Sequence, residues 1–277
     1  MILKRKTIKN EIIYEGIGLH KGENIKLKLI PSTFGGIVFK RMDLPVEKRI
    51  INLAPENCFD LMRGTNIKNE YGEGIYTIEH FLSALAVLDI TDLIVEIDGN
   101  ELPIIDGSAL EFVNLIEKVG IVDLEEEILP IVIKEPIFVS KEESHVVILP
   151  YDGYKITYGI KFEHTFLKSQ MQEFEVNLET YKKEIGRART FCFDYEIEYL
   201  KSNNLALGGT LENAIVIEKN GVLNPEGLRF EDEFVRHKML DIIGDLKVMN
   251  RPIKGHVIAI KAGHFINAEL CKKLKKI

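Results

Sequence analysis

The stretch FEDEFVRHKMLDIIGDL (230–246) holds the reading on which the rest of the chain turns. Val235, Met239, Leu240, Ile242, Ile243 and Leu246 recur at helical spacing, which predicts one amphipathic helix from Phe230 to Leu246. At 100° per residue, His237, Lys238, Asp241 and Asp245 gather within about 100° of arc away from that apolar side. Such a face meets either bulk water or a cleft, and water is the commoner outcome.

Working outward, the helix is followed by a strand-like run, GHVIAIKAG (255–263), and a last helix, NAELCKKLKKI (267–277). The first half of the chain ends on the same series. YTIEHFLSALAVL (76–88) predicts a helix with Thr77 as N-cap, LIVEID (93–98) a strand, and GNELPIIDG (99–107) a loop. A second helix is then expected from Ser108, which stands at capping-box spacing from Glu111.

Strand-like runs precede both series. They are NIKLKLIP (24–31) and GIVFKR (36–41) in the first half, and PIVIKEPIFVS, SHVVILPY, YKITYGIKFEH and QEFEVN in the second. A helical ETYKKEIG (179–186) follows the last of these. The acidic run VDLEEEILP (122–130) separates the halves, with the boundary expected near residue 126. The fold class is therefore α+β: two similar two-layer α/β domains, residues 1–126 and 127–277, each with helices on an antiparallel-type sheet. Packed face to face, each brings one His-bearing helix to a shared cleft, a favoured place for a ligand.

With 45% hydrophobic and 29% charged residues, the chain has the balance of a soluble globular protein. A formal charge of -7 disfavours a general nucleic-acid binder, so an anionic ligand would need a local basic pocket. Three cysteines without CxxC spacing argue against a disulfide framework and against a cysteine zinc site, and suit a reducing cytoplasm. The basic N-terminal stretch lacks the apolar run of a signal peptide, and no segment approaches the ~20 apolar residues of a membrane span.

The chemistry starts at His237 and Asp241. Four residues apart on a helix, they lie one turn above each other, the spacing by which one helix offers a metal two ligands. Alone, the pair reads more readily as a solvated i,i+4 contact. His80, early in the first-half helix, is the candidate third ligand, against its plainer reading as a partly buried histidine bonded to backbone. Two His and a carboxylate make the donor set of a catalytic zinc with an open position, and also of some non-haem iron oxygenases.

A hydrolytic metal site wants a carboxylate beside it that is not a ligand. Glu79 adjoins His80 yet projects about 100° away, which suits a general base; its plainer role is a helix N-terminal acid facing the dipole. In KAGHFIN (261–267), His264 stands between a strand and a helix, where an imidazole can protonate a leaving amine. Asp245, one turn beyond Asp241, is placed to hold that imidazole charged. Their plainer readings are a loop histidine and a solvated acid. His20, His145, His164 and His256 have no second chemical group at ligand spacing.

The motifs YTIEH, ELPIIDGSALEF, ARTFCF, LRFEDEFVRHKMLDIIGDL and KAGHFIN, with GIGLHKG (16–22) ahead of them, run in order over nearly the whole chain. Together they resemble the UDP-3-O-acyl-N-acetylglucosamine deacetylases of Gram-negative lipid A and lipopolysaccharide synthesis. The resemblance implies a two-domain fold with the active site between the domains and zinc on His80, His237 and Asp241, a site in which Fe2+ can substitute. It implies Glu79 as general base, His264 as general acid with Asp245 behind it, and Thr190 beside the oxyanion. Lys238 and Lys261 match lysines near the sugar and diphosphate, and Phe162 matches an aromatic near the uracil. A βαβ insert at about 187–221 would form the fatty-acyl passage, with Phe191, Phe193, Leu200 and Gly209 contributing. The segment CFDLMRGTNIKNEYGEG (58–74) departs from several relatives.

The resulting expectation is a monomeric, cytoplasmic, metal-dependent amidohydrolase that meets a UDP-linked acylated glucosamine, with no nucleic acid and no transmembrane segment. Two other readings compete: an inactive nucleotide-sugar or acyl binder of the same fold, and an iron oxygenase using the same ligands. The Glu79–His264 pair weighs against the first. The second lacks an Arg-lined pocket for a keto acid.

Overall fold

A computed structural model describes residues 2–33 and 35–277. Alternating burial builds its first sheet: Ile25, Leu27 and Leu29 point inward while Asn24, Lys26 and Lys28 do not. The strand order is Ile12–Ile17, Asn24–Pro31, Leu93–Ile97, Ile37–Arg41, Ile50–Asn52. Leu93–Ile97 follows a helix and slots into the middle, antiparallel to Asn24–Pro31 and parallel to Ile37–Arg41.

The second sheet repeats this plan. Its order is Ile137–Lys141, Ser144–Leu149, Ile253–Ile260, Tyr154–Lys161, Ser169–Glu175, and the strand after the long helix is again central. Ile253–Ile260 runs antiparallel to Ser144–Leu149 and parallel to Tyr154–Lys161, and the short strand Ile131–Val132 pairs beside it. The two halves are thus similar α+β units. Their sheets are mixed, however, not of the antiparallel type expected. A strand that re-enters the sheet through a helical connection can lie parallel to its neighbour, which a tight hairpin does not allow.

The first-half helix is Glu79–Val87, and Phe81 packs edge-on against Phe39 of the first sheet. The long helix is Glu233–Lys247, with both its apolar and its polar faces buried. The two helices cross in contact: a Cβ on Gly244 would overlap the main-chain carbonyl of Glu79. This crossing is buried and fixes where the helix-borne side chains meet.

Several boundaries differ from expectation. The long helix starts at Glu233, not Phe230, because the buried Glu233 carboxylate folds back to accept from the Arg229 N–H at 2.6 Å. Thr77 is no N-cap: its φ is +56° and its hydroxyl donates to buried Glu101. Ser108 bonds Asp106, and the second helix runs Leu110–Val119 from Ala109. The last helix is His264–Leu274, so His264 occupies a first helical turn instead of a loop. ETYKKEIG splits into a short α turn, Leu178–Thr180, capped by Asn177, and a wider π turn, Tyr181–Ile185.

The acidic run forms the strand Ile121–Ile128, paired antiparallel with Leu3–Ile8. Further on, Phe191–Phe193 lies parallel to Ile215–Glu218, with the helix Ile197–Ser202 between them. Residues 58–74 make a small sheet of Cys58–Phe59, Asn66–Lys68 and Gly74–Ile75. No described helix is long and apolar enough to cross a membrane.

Candidate metal centre

The helix crossing brings His80 from one half to His237 and Asp241 from the other. One donor atom from each lies within 4.8 Å of the others, and all three residues are buried. Asp241 Oδ1 stands 3.3 Å from His237 Nε2 and 3.7 Å from His80 Nε2, with the imidazole rings edge to face at 5.0 Å. Bonds of ~2.0–2.1 Å to a tetrahedral ion would hold donors about 3.3–3.4 Å apart, close to these separations.

The hydrogen bonds leave those atoms available. His237 donates from Nδ1 to the Ala188 carbonyl at 3.1 Å, which turns the Nε2 lone pair inward. Asp241 Oδ1 is buried with no partner among the described residues, whereas Oδ2 accepts from Lys238 Nζ at 2.6 Å. An orphaned carboxylate oxygen facing two imidazoles is costly unless a cation completes it. Burial keeps the imidazoles neutral, His237 pushed down to about 3 and His80 also lowered. For Asp241, burial favours the neutral acid, but the positive charges of Lys238 and His264 outweigh it and keep the carboxylate ionised. Neutral nitrogens beside an anionic oxygen suit a divalent metal.

Two titratable groups flank this centre. Glu79, 3% exposed, accepts from the Thr65 N–H at 2.8 Å, and burial raises its carboxyl to about 7. His264 Nδ1 lies 2.9 Å from Asp245 Oδ2; burial disfavours its charge, but the Asp245 carboxylate prevails and holds the imidazole up at about 9. Near neutrality one group is poised to take a proton and the other carries one.

These groups open onto a cleft of about 650 Å³, large enough for a sizeable ligand. Its wall includes Glu79, His80, His237, Lys238, Asp241 and His264, together with Thr190 and Lys261. On the apolar side Phe191, Leu200 and Gly209 line it alongside Ile197 and Val216. Phe162 and Phe193 do not reach the wall. They pack edge to face on each other at 5.5 Å, and Phe162 also backs Phe191 at 6.2 Å, so aromatic packing claims both rings. Asp245 sits behind His264, away from the cavity surface.

Other residues that build the site had no local signal. Buried Arg189 donates to Glu233 at 2.9 Å and to the Gly227 carbonyl at 2.7 Å, also pairing with Glu226, and so ties Ala188 and Thr190 to the start of the long helix. Asp106 pairs with Arg229 at 2.8 Å, joining the first half's IIDGS loop to the second half. Asn267 donates to Asp245 Oδ2 at 2.8 Å. Each partner is distant in sequence, which is why periodicity and capping rules pass over them.

A metal-ready donor set, with an acceptor and a donor of protons on the wall of one cleft, is the equipment of a metal-dependent hydrolase. Residues 5–276 match the family model of UDP-3-O-acyl N-acetylglycosamine deacetylase, and the chain belongs to that family. Relatives named UDP-3-O-acyl-N-acetylglucosamine deacetylase include those of Colwellia psychrerythraea, 43% identical over 99% of this chain and 91% of the relative, and Chromobacterium violaceum, 43% identical over 99% and 90%. That of Syntrophus aciditrophicus is 41% identical over 98% of this chain and 85% of its own.

Proposed function

We infer that the chain hydrolyses the acetamide of UDP-3-O-acyl-N-acetylglucosamine, giving the free amine and acetate, in lipid A synthesis. It is a hydrolase of linear amides, a deacetylase of Gram-negative lipopolysaccharide formation. The observation that carries the reading is the meeting of Glu79, His264 and the His80–His237–Asp241 donor set on the wall of one cleft.

His80, His237 and Asp241 would hold Zn2+, with Fe2+ the alternative occupant. When bound, the ion supplies Lewis acidity to the amide carbonyl and acidifies water. Glu79 accepts the proton of the attacking water at its buried carboxylate. Thr190, on the cleft wall, donates its hydroxyl to the oxygen on which negative charge develops, worth a few kcal/mol for such a donor. His264, held through Nδ1 by Asp245, delivers the proton of its other ring nitrogen to the departing glucosamine nitrogen. Lys261 and Lys238 place positive charge on the wall for a diphosphate, offsetting a protein that is acidic overall. Phe191, Leu200 and Gly209 line the acyl passage, with Phe162, itself packed on Phe193, supporting Phe191 from behind.

The domains divide near residue 126, and the enzyme works as a cytoplasmic monomer with no nucleic-acid partner. Acetate release from UDP-3-O-acyl-N-acetylglucosamine, measured with metal content before and after chelation, tests the whole reading. Loss of activity on chelation and its return with Zn2+ are expected. A chelator-treated, metal-free protein with full turnover would overturn it, and ligand binding without acetate release would favour an inactive binder.

A further inference from the structure

One residue of the 58–74 segment touches both proton-transfer systems. Thr65 is 2% exposed, and all three of its polar groups are committed. Its N–H donates to Glu79 Oε2 at 2.8 Å, and its hydroxyl donates to Asp245 Oδ1 at 2.5 Å. Its carbonyl accepts from the Ile78 N–H at 3.0 Å, which fixes Thr65 against the chain entering the first helix. Gly64 beside it leaves the carboxylate room, for a Cβ there would come within 3.2 Å of Glu79 Oε1.

The two carboxylates belong to different halves, Glu79 to the first-half helix and Asp245 to the long helix. A carboxylate's terminal torsion is broad and roughly two-fold, so a buried carboxylate points where its donors hold it. Asp245 Oδ2 is held by Asn267 at 2.8 Å and His264 at 2.9 Å, while Oδ1 has the Thr65 hydroxyl as its shortest contact. Thr65 does not line the cleft, so it acts on the reaction only through its neighbours.

We propose that Thr65 is a positioning residue for proton transfer, its main-chain N–H aiming Glu79 and its hydroxyl aiming the Asp245–His264 pair. A base and an acid from opposite halves thereby keep one separation across the reacting bond, and small misplacements of such groups are expensive in rate. The proposal rests on Glu79 and His264 being that base and acid.

The test uses the full chain loaded with zinc. Thr65→Val, Thr65→Ser, Asp245→Asn and the double variant Thr65→Val/Asp245→Asn are compared in kcat, KM, metal content and unfolding midpoint. Thr65→Val is expected to lower kcat about 10-fold with KM and metal content unchanged. Thr65→Ser, which keeps the hydroxyl, restores kcat. The double variant is no slower than Asp245→Asn alone, as two groups in one chain of contacts should behave. Thr65→Ala carries the same expectation should the Val variant not fold. Unchanged kcat without the hydroxyl, a Ser variant as slow as Val, or losses that multiply in the double variant would each overturn the proposal. Full turnover in Glu79→Gln and Asp245→Asn is a separate outcome, which overturns the base and acid assignment beneath it.

Discussion

Gly244 of the long helix lies against the main-chain carbonyl of Glu79, so close that a single methyl group would occupy the same space. Glu79 immediately precedes the ligand His80, and Gly244 follows the ligand Asp241 by one helical turn. The contact therefore sets the distance between the two halves of the donor set. Gly244→Ala removes a mid-helix glycine, a gain of roughly 1 kcal/mol in isolation. Overpacking at the crossing costs more, about 1–3 kcal/mol. The expected result is a lower unfolding midpoint together with weaker metal binding by titration of the metal-free protein. Unaltered midpoint and affinity would show that the helices part without consequence.

The rate should depend on pH as a bell. Glu79 must be deprotonated to accept, and burial raises it to about 7, so kcat/KM climbs as pH rises through its titration. His264 must be protonated to donate; burial opposes its charge, Asp245 more than restores it to about 9, and activity falls as pH passes that value. A bound cation favours both deprotonated forms and moves both limbs to lower pH. Glu79→Gln should cut turnover by about 10²–10⁴ and remove the acid limb, and His264→Gln the alkaline one. An acid limb that persists in Glu79→Gln would reassign the base.

Lys238 serves the ligand Asp241 as well as the cleft wall. Burial pulls its ammonium toward neutrality, but the Asp241 charge and their 2.6 Å hydrogen bond win, and the lysine stays protonated. Lys238→Met leaves Asp241 Oδ2 without this donor. A loss of about 10–100-fold in metal affinity is expected, the usual effect of removing a partner behind a ligand. Raised KM with undiminished metal affinity would instead confine Lys238 to the substrate.

The long helix was legible from the helical spacing of its apolar residues, whereas the burial of its charged face, which rules out bulk water, comes only with the rest of the fold. The repeated helix–strand–helix series likewise matched two sheets of one topology. Capping was not legible. Thr77 and Ser108 look like N-caps along the chain, yet Glu101 and Asp106 compete for their hydroxyls. Gly244 reads as a mild helix defect until the opposing helix is present. Thr65 lies in a segment without strong periodicity, and its two partners lie 14 and 180 residues away. Phe162 and Phe193 mark the same limit: an aromatic at a motif position packs where neighbouring rings take it.

Lys247 offers a test of stability that leaves the donor set alone. It is 5% exposed, and its Nζ donates to the Ile90 carbonyl at 2.6 Å, just past the end of the first-half helix. Burial lowers its pKa from 10.5 to about 8, with Asp89 and Asp92 resisting. Below pH 8 both folded and unfolded chains hold this proton, and the full cost of burying the charge is present. Between about 8 and 10.5 the unfolded chain binds the proton more tightly, so this group's contribution to stability rises with pH across that window. A shift of this size corresponds to something on the order of 3 kcal/mol. Lys247→Met removes the charge and gives up one hydrogen bond, a loss of about 1 kcal/mol. The variant should be the more stable at pH 7, and its advantage should shrink as pH approaches 10. Denaturant midpoints of both proteins at the two pH values measure this difference directly, and an advantage that grows with pH would show that Lys247 is not buried as a cation.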